Sequence, residues 1–195
     1  RFNLPDQIGA YLADFPQTSA STLVAMEIGG NDVRDALVAA AMQQDPAPYI
    51  ENALASVANS IGTLYAHGAR RLLLLNVPDV GKAPAVSMLG PQAVAGATAL
   101  ATQYNAALDG LRVALTQALP GSDIRIVDLY ALLNDIVANP ASYGLVNVTE
   151  ACVTPEQPPF NCARPDTYLF WDGVHPTKAV HQIMARQALA TLSAP

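Results

Sequence analysis

Asp172-Gly173-Val174-His175-Pro176 sets a carboxylate and an imidazole three residues apart, with a proline fixing the φ that follows. A pair so spaced fits on one tight turn. The carboxylate can then orient the imidazole and stabilise the imidazolium formed when the ring takes a proton from a hydroxyl. That is the work of Asp and His in a Ser-His-Asp hydrolase. Upstream, Ile28-Gly29-Gly30-Asn31-Asp32 closes an apolar run and opens a helical pattern. There the Asn31 amide can be presented to an oxyanion. Gly29 and Gly30 can support the loop, and Asp32 can brace it or cap the helix. Each feature also has a plain reading: a capping Asp beside a surface His, a capping Asn, and glycines that serve tight packing. Their occurrence together, in this order, argues for the chemical one.

No serine reads as the matching nucleophile. Gly121-Ser122-Asp123 sits before a strand pattern and not at its exit; Ser56 and Ser60 fall inside a helix, and Ser19 and Ser21 precede a strand. No Gly-x-Ser-x-Gly elbow is present. His67, His175 and His181 form neither His-x-x-x-His nor Glu-x-x-His spacing, and Gly29-Gly30 lacks the spacing of a phosphate loop, so no metal or cofactor is expected. Trp171, the one tryptophan, reads either as core or as a wall shaping the turn beside Asp172.

The elements that must carry these residues follow from hydrophobic period. Helical spacing covers Leu4 to Phe15, about Asn31 to Gln44, Tyr49 to His67, Pro91 to Leu119, Tyr130 to Ala138 and Thr177 to Leu192. Either Asn31 or Asp32 is expected to cap the second of these, and Gly68 to stop the third. Continuous apolar runs at Thr22 to Ile28, Arg70 to Val77 and Ile124 to Leu129 read as buried parallel strands. Pro78 to Leu89 reads as loop, and Asn139 to Thr167 as a long irregular segment of the kind that carries function or needs a staple. Helices alternating with strands predict an α/β fold, a parallel sheet flanked by helices in a single domain over residues 1–195. Ligands in such folds gather at the carboxyl ends of strands, where Gly29 to Asp32 lie.

Composition narrows the function classes. Of 195 residues 51% are apolar and 13% charged, which suits a packed core and not a disordered chain. A formal charge of −6 disfavours nucleic acid and anionic membranes as partners. Arg1-Phe2-Asn3 is neither an initiator Met nor a signal peptide, so the start reads as processed or cut. Cys152 and Cys162 share one Pro-rich loop; a disulfide between them is preferred to two free thiols, and points to a secreted, periplasmic or cell-surface protein.

On Gly29-Gly30-Asn31-Asp32 and Asp172-Gly173-Val174-His175 the chain resembles the SGNH hydrolases, the GDSL-type esterase/lipase family. Leu4-Pro5-Asp6-Gln7-Ile8 and the run from Tyr168 to Thr177 are similar to bacterial secreted members, among them phospholipase- or lecithinase-like proteins and autotransporter passengers. The resemblance extends from Phe2 to Ala194. It implies a three-layer, flavodoxin-like α/β sandwich with its first strand or strands absent from this chain. It implies His175 as general base and acid, Asp172 as its orienting partner, Asn31 as an oxyanion donor, and carboxylic esters or acyl lipids as substrates. The family's Gly-Asp-Ser block and the block whose Gly donates to the oxyanion have no counterpart here. The nucleophile is therefore expected on an associated N-terminal fragment, this chain alone being inactive. The alternative is an inert remnant of the fold or a binding module.

Overall fold

The computed structural model describes residues 3–154, 157–158 and 160–194. Readings that fall on Arg1, Phe2, Pro195 or the prolines Pro155 and Pro159 of the cysteine loop lie outside those residues. In chain order the elements are α1 (Leu4–Asp14), β1 (Leu23–Glu27), α2 (Gly30–Ala41), α3 (Ala47–Ala66), β2 (Arg71–Leu75), α4 (Pro84–Ser87) and α5 (Pro91–Ala118). Then come β3 (Asp123–Val127), α6 (Leu129–Ala138), β4 (Asn147–Ala151), β5 (Tyr168–Phe170) and α7 (Lys178–Ser193). The fold is α/β, with a parallel sheet and flanking helices. The chain divides into two compact units, Arg1–Asn76 with Gln103–Val127, and Val77–Thr102 with Asp128–Pro195.

The first unit holds a parallel sheet in the order β1-β2-β3. Leu72, Leu73 and Leu74 of the middle strand are all buried, so side chains on both pleat faces are covered, as the unbroken aliphatic run implies. β1 departs from its expectation as a buried strand. It lies at the edge of the sheet, with Leu23, Ala25 and Glu27 exposed and Met26 buried. α1 opens on a reciprocal cap: Asn3 Oδ1 accepts from Asp6 N at 3.0 Å, and Asp6 Oδ2 accepts from Asn3 N at 3.1 Å. α3 ends at His67, and Gly68 at φ 104° makes the expected stop. β3 ends two residues before its expected end, because the Asp128 carboxylate accepts from Ala131 N at 2.9 Å and starts α6 there.

The second unit is built on Leu169, Phe170, Ile136, Leu145, Val180, Ile183 and Ala83. Here the sequence reading is corrected twice. The expected loop from Pro78 to Leu89 contains a 3-10 turn, Val80–Lys82, and the one-turn helix α4. The expected irregular stretch contains β4, which pairs in parallel with β5 as a separate two-stranded sheet. Asn147-Val148-Thr149-Glu150-Ala151 offers one strong apolar residue, so its strand is set by the partner and not by its own pattern. Among the described residues, no helix is long and apolar enough to cross a membrane.

Candidate active site

The turn that carries Asp172 and His175 is closed at its base by backbone bonds. Trp171 N–H donates to His175 O at 2.8 Å, and Thr177 N–H donates to Leu169 O at 3.0 Å. Pro176, which has no N–H, stands between them opposite Phe170. Thr177, 1% exposed, adds a bond from its hydroxyl to Tyr168 O at 2.7 Å and caps α7. Within the turn Asp172 is bound on both oxygens. Its Oδ1 accepts from Val174 N at 2.8 Å and His175 N at 2.7 Å, and its Oδ2 lies 2.8 Å from His175 Nδ1.

This arrangement sets the charge state. Burial pushes the Asp172 carboxyl up, but the backbone N–H groups of His175 and Val174, the imidazole hydrogen bond and the imidazole charge outweigh it. The carboxyl is held below its ordinary range. An ionised carboxylate can only accept, so the shared proton belongs to Nδ1, and in the neutral form of the ring Nε2 is the nitrogen that carries the lone pair. The imidazole is 74% exposed, which leaves that lone pair open to a reactant.

Cys152 and Cys162 form a disulfide, with Cα atoms 5.5 Å apart. The link bears on the turn, because Cys152 N–H donates to Phe170 O at 3.0 Å and Val153 N–H to Trp171 O at 2.9 Å. The stapled strand thus runs alongside the residues that enter the turn. Trp171 is 40% exposed, so it is not a core residue.

In the other unit, the loop after β1 is shaped by Gly29. Its φ of 115° is left-handed, and it caps α2, Val33 N–H donating to Gly29 O at 2.9 Å. Asn31 and Asp32 were the expected caps; instead they occupy the first turn of α2. The exit from β1 needs a left-handed residue, and Gly29 takes that conformation two positions before Asn31. Tyr104, fully buried on α5, lies against Gly29 and donates from its hydroxyl to Ile28 O at 3.4 Å. Burial, with the charge of Asp32 added, pushes this phenol far up. The Asn31 side chain is exposed, Asp32 is half-buried, and a Cβ on Gly30 would meet open space.

The sequence model for GDSL-like lipase/acylhydrolases matches residues 3–188. The chain belongs to that family. Among curated relatives, this GDSL chain is 30% identical over 186 residues to GDSL esterase/lipase At2g04570 of Arabidopsis thaliana, covering 87% of this chain and 53% of the relative. It is 27% identical over 199 residues to GDSL esterase/lipase 7 of the same plant, covering 91% and 54%. The chain spans about half the length of the curated relatives it matches.

Of the residues singled out in the GDSL chain, Asp172 and His175 are joined directly, and Cys152 is coupled to the strand beneath them. Gly29, Gly30, Asn31 and Asp32 share the start of α2. His67 serves structure: its Nδ1 is 2.8 Å from Pro16 O. His181 is exposed on α7. Tyr104 was not foreseen. Its one signal was helical spacing with Ala97, Leu100, Ala101 and Leu108, all buried on α5, which marks a core face and says nothing of Gly29.

Proposed function

We propose that this chain forms part of a serine hydrolase of carboxylic esters, in which His175 Nε2 is the general base. The observation that carries this reading is the Asp172–His175 pair: the carboxylate accepts a hydrogen bond from Nδ1–H at 2.8 Å, and Nε2 is left on an exposed ring. In the proposed reaction a serine hydroxyl attacks the ester carbonyl while its proton passes to Nε2. The tetrahedral oxyanion accepts a hydrogen bond from the Asn31 amide, and the alcohol leaves with the proton from His175. Water, deprotonated by the same imidazole, then releases the acid and frees the serine. Asp32 has no substrate role in this scheme; it braces the first turn of α2. Acyl lipids are within the proposed substrate class.

The nucleophile is assigned to a serine outside these 195 residues. In the unit that holds His175 the serines are Ser87, Ser142 and Ser193, and none of them bonds the imidazole. The half-length match to the family's curated members supports the same assignment. The serine-bearing segment is proposed to associate with this one. A secreted, periplasmic or cell-surface location is proposed on the disulfide, which persists in oxidising compartments.

The test is to treat the purified material with a fluorophosphonate and weigh every denatured species by intact mass spectrometry. An adduct on a co-purifying peptide, with hydrolysis of p-nitrophenyl esters, supports the reading. Adduct on a serine of this chain overturns the assignment of the nucleophile. No adduct and no hydrolysis, even with the serine-bearing segment supplied, overturns the enzyme and leaves an inert scaffold or binding module.

A further inference from the structure

Gly173, in the middle of the Asp172–His175 turn, is a glycine for want of room and not for its backbone angle. Its φ is outside the left-handed region where Gly29 lies. A Cβ built on it would come within 3.1 Å of Ala85 Cβ and 3.8 Å of Ala85 N. From the same position Ala85 N–H donates to Gly173 O at 2.9 Å. The bonds at Trp171 and Thr177 hold the ends of the turn, and those of Asp172 lock its carboxylate to the imidazole. Among the described residues, the Ala85 bond is the one that reaches the middle of the turn from another element.

Ala85 is itself firmly placed. It is the second residue of α4, behind Pro84, whose fixed φ suits a first helical position. Ala83, 5% exposed, is seated in the same core as Leu169 and Phe170, and Val86 packs against that core. Upstream, the buried Asp79 accepts from Gly81 N at 3.2 Å and Thr98 Oγ1 at 2.7 Å. A Cβ on Gly81 would meet Thr98 Oγ1 and stand 2.7 Å from Val94 O, so the backbone at Gly81 is packed closely against α5. A buried carboxylate at one end and the core at the other fix the segment between them.

We propose that α4 braces the catalytic turn, with Ala85 a positioning residue that acts through Gly173 to set the direction in which His175 presents Nε2. Ala85 touches neither substrate nor proton. Its contribution is geometric: its N–H holds the middle of the turn at 2.9 Å, and its methyl leaves space there for no more than a glycine. The inference rests on the reading of His175 as the base.

The experiment is a size exchange. Gly173→Ala, Ala85→Gly and the double variant are made in this chain, labelled with 15N-histidine, and examined by long-range proton–nitrogen correlation at a pH where the ring is neutral. Ester hydrolysis is followed in parallel with the serine-bearing segment supplied. The parent and Ala85→Gly should show His175 protonated at Nδ1. Gly173→Ala should show a mixture of tautomers and lose at least tenfold in kcat with KM unchanged. The double variant should regain the parent spectrum and rate. A Gly173→Ala chain that matches the parent in tautomer overturns the brace, as does a double variant that fails to recover. If circular dichroism shows Gly173→Ala unfolded, the double variant decides alone: the parent spectrum supports the brace and any other overturns it. If no variant and no parent hydrolyses esters, the catalytic reading falls, while the tautomer comparison still judges the contact.

Discussion

The ring of Tyr104 occupies the volume that a side chain on Gly29 would need: a Cβ there would lie 2.5 Å from the phenol carbon Cζ and 2.6 Å from its oxygen. Two independent demands therefore meet at Gly29, a left-handed φ and a closed space. Together they fix where β1 ends and α2 begins, and so where Asn31 stands on the first turn.

Gly29→Ala is expected to destabilise the chain on both counts. The left-handed backbone costs on the order of 1–2 kcal/mol for a residue with a Cβ, and overpacking adds about 1–3 kcal/mol. Tyr104→Phe should not relieve it, because the ring carbons remain in place. Urea unfolding should give a lowered midpoint with an unchanged slope; a parental midpoint would refute the contact.

Asp172→Asn separates the two tasks of the carboxylate. The amide oxygen can still accept from Val174 and His175 N–H, so the melting temperature should change little. The amide nitrogen then faces Nδ1 and favours the wrong tautomer, which should lower kcat of the assembled enzyme by roughly 10³- to 10⁴-fold. Asp172→Ala should lose both stability and rate. Equal rates for Asp172→Asn and the parent would remove the pair from the mechanism.

Asn31→Ala tests the proposed role of Asn31 as an oxyanion donor. The side chain is exposed, so the stability of the chain should stay within about 0.5 kcal/mol of the parent. Loss of one donor to the developing oxyanion should lower kcat by roughly 10²- to 10³-fold. A drop in stability without a drop in rate would assign Asn31 to structure.

Acid should weaken this unit in a defined window. The carboxyl of Asp172 is held below its ordinary range, and so is that of Asp135, through bonds from the Tyr143 hydroxyl and the Asn139 amide. The unfolded chain then binds more protons than the folded one between the depressed values and about pH 4, so stability rises with pH across that interval. Their contribution is fully present above the unfolded carboxylate value and is lost as pH falls through the folded one. Unfolding midpoints measured from pH 2 to 5 should show this slope, and it should flatten in Asp172→Asn and in Asp135→Asn.

Reducing the Cys152–Cys162 bond releases a short loop, worth about 2–3 kcal/mol by loop-closure entropy. Since Cys152 and Val153 bond to Phe170 and Trp171, amide exchange should quicken in β5 and the turn before it does in β1 to β3. Uniform quickening throughout the chain would show that the staple acts on global stability alone.

The sequence by itself determined the α/β class, six of the helices to within a few residues and the three strands of the main sheet, and it favoured pairing of the two cysteines over free thiols. These rest on local period and composition, which survive in any context. It also set Asp172 three residues before His175, a spacing that short-range geometry alone can close into a hydrogen bond. Only the tertiary structure decided that Gly29 and not Asn31 caps α2, because the ring against it comes from Tyr104, 75 positions away. It alone made a strand of Asn147–Ala151, whose alternation is too weak to declare itself without Tyr168–Phe170 beside it. And it alone brought Ala85 against Gly173, a meeting of two small residues that carries no pattern in a sequence, since small size leaves its mark only where another atom comes close.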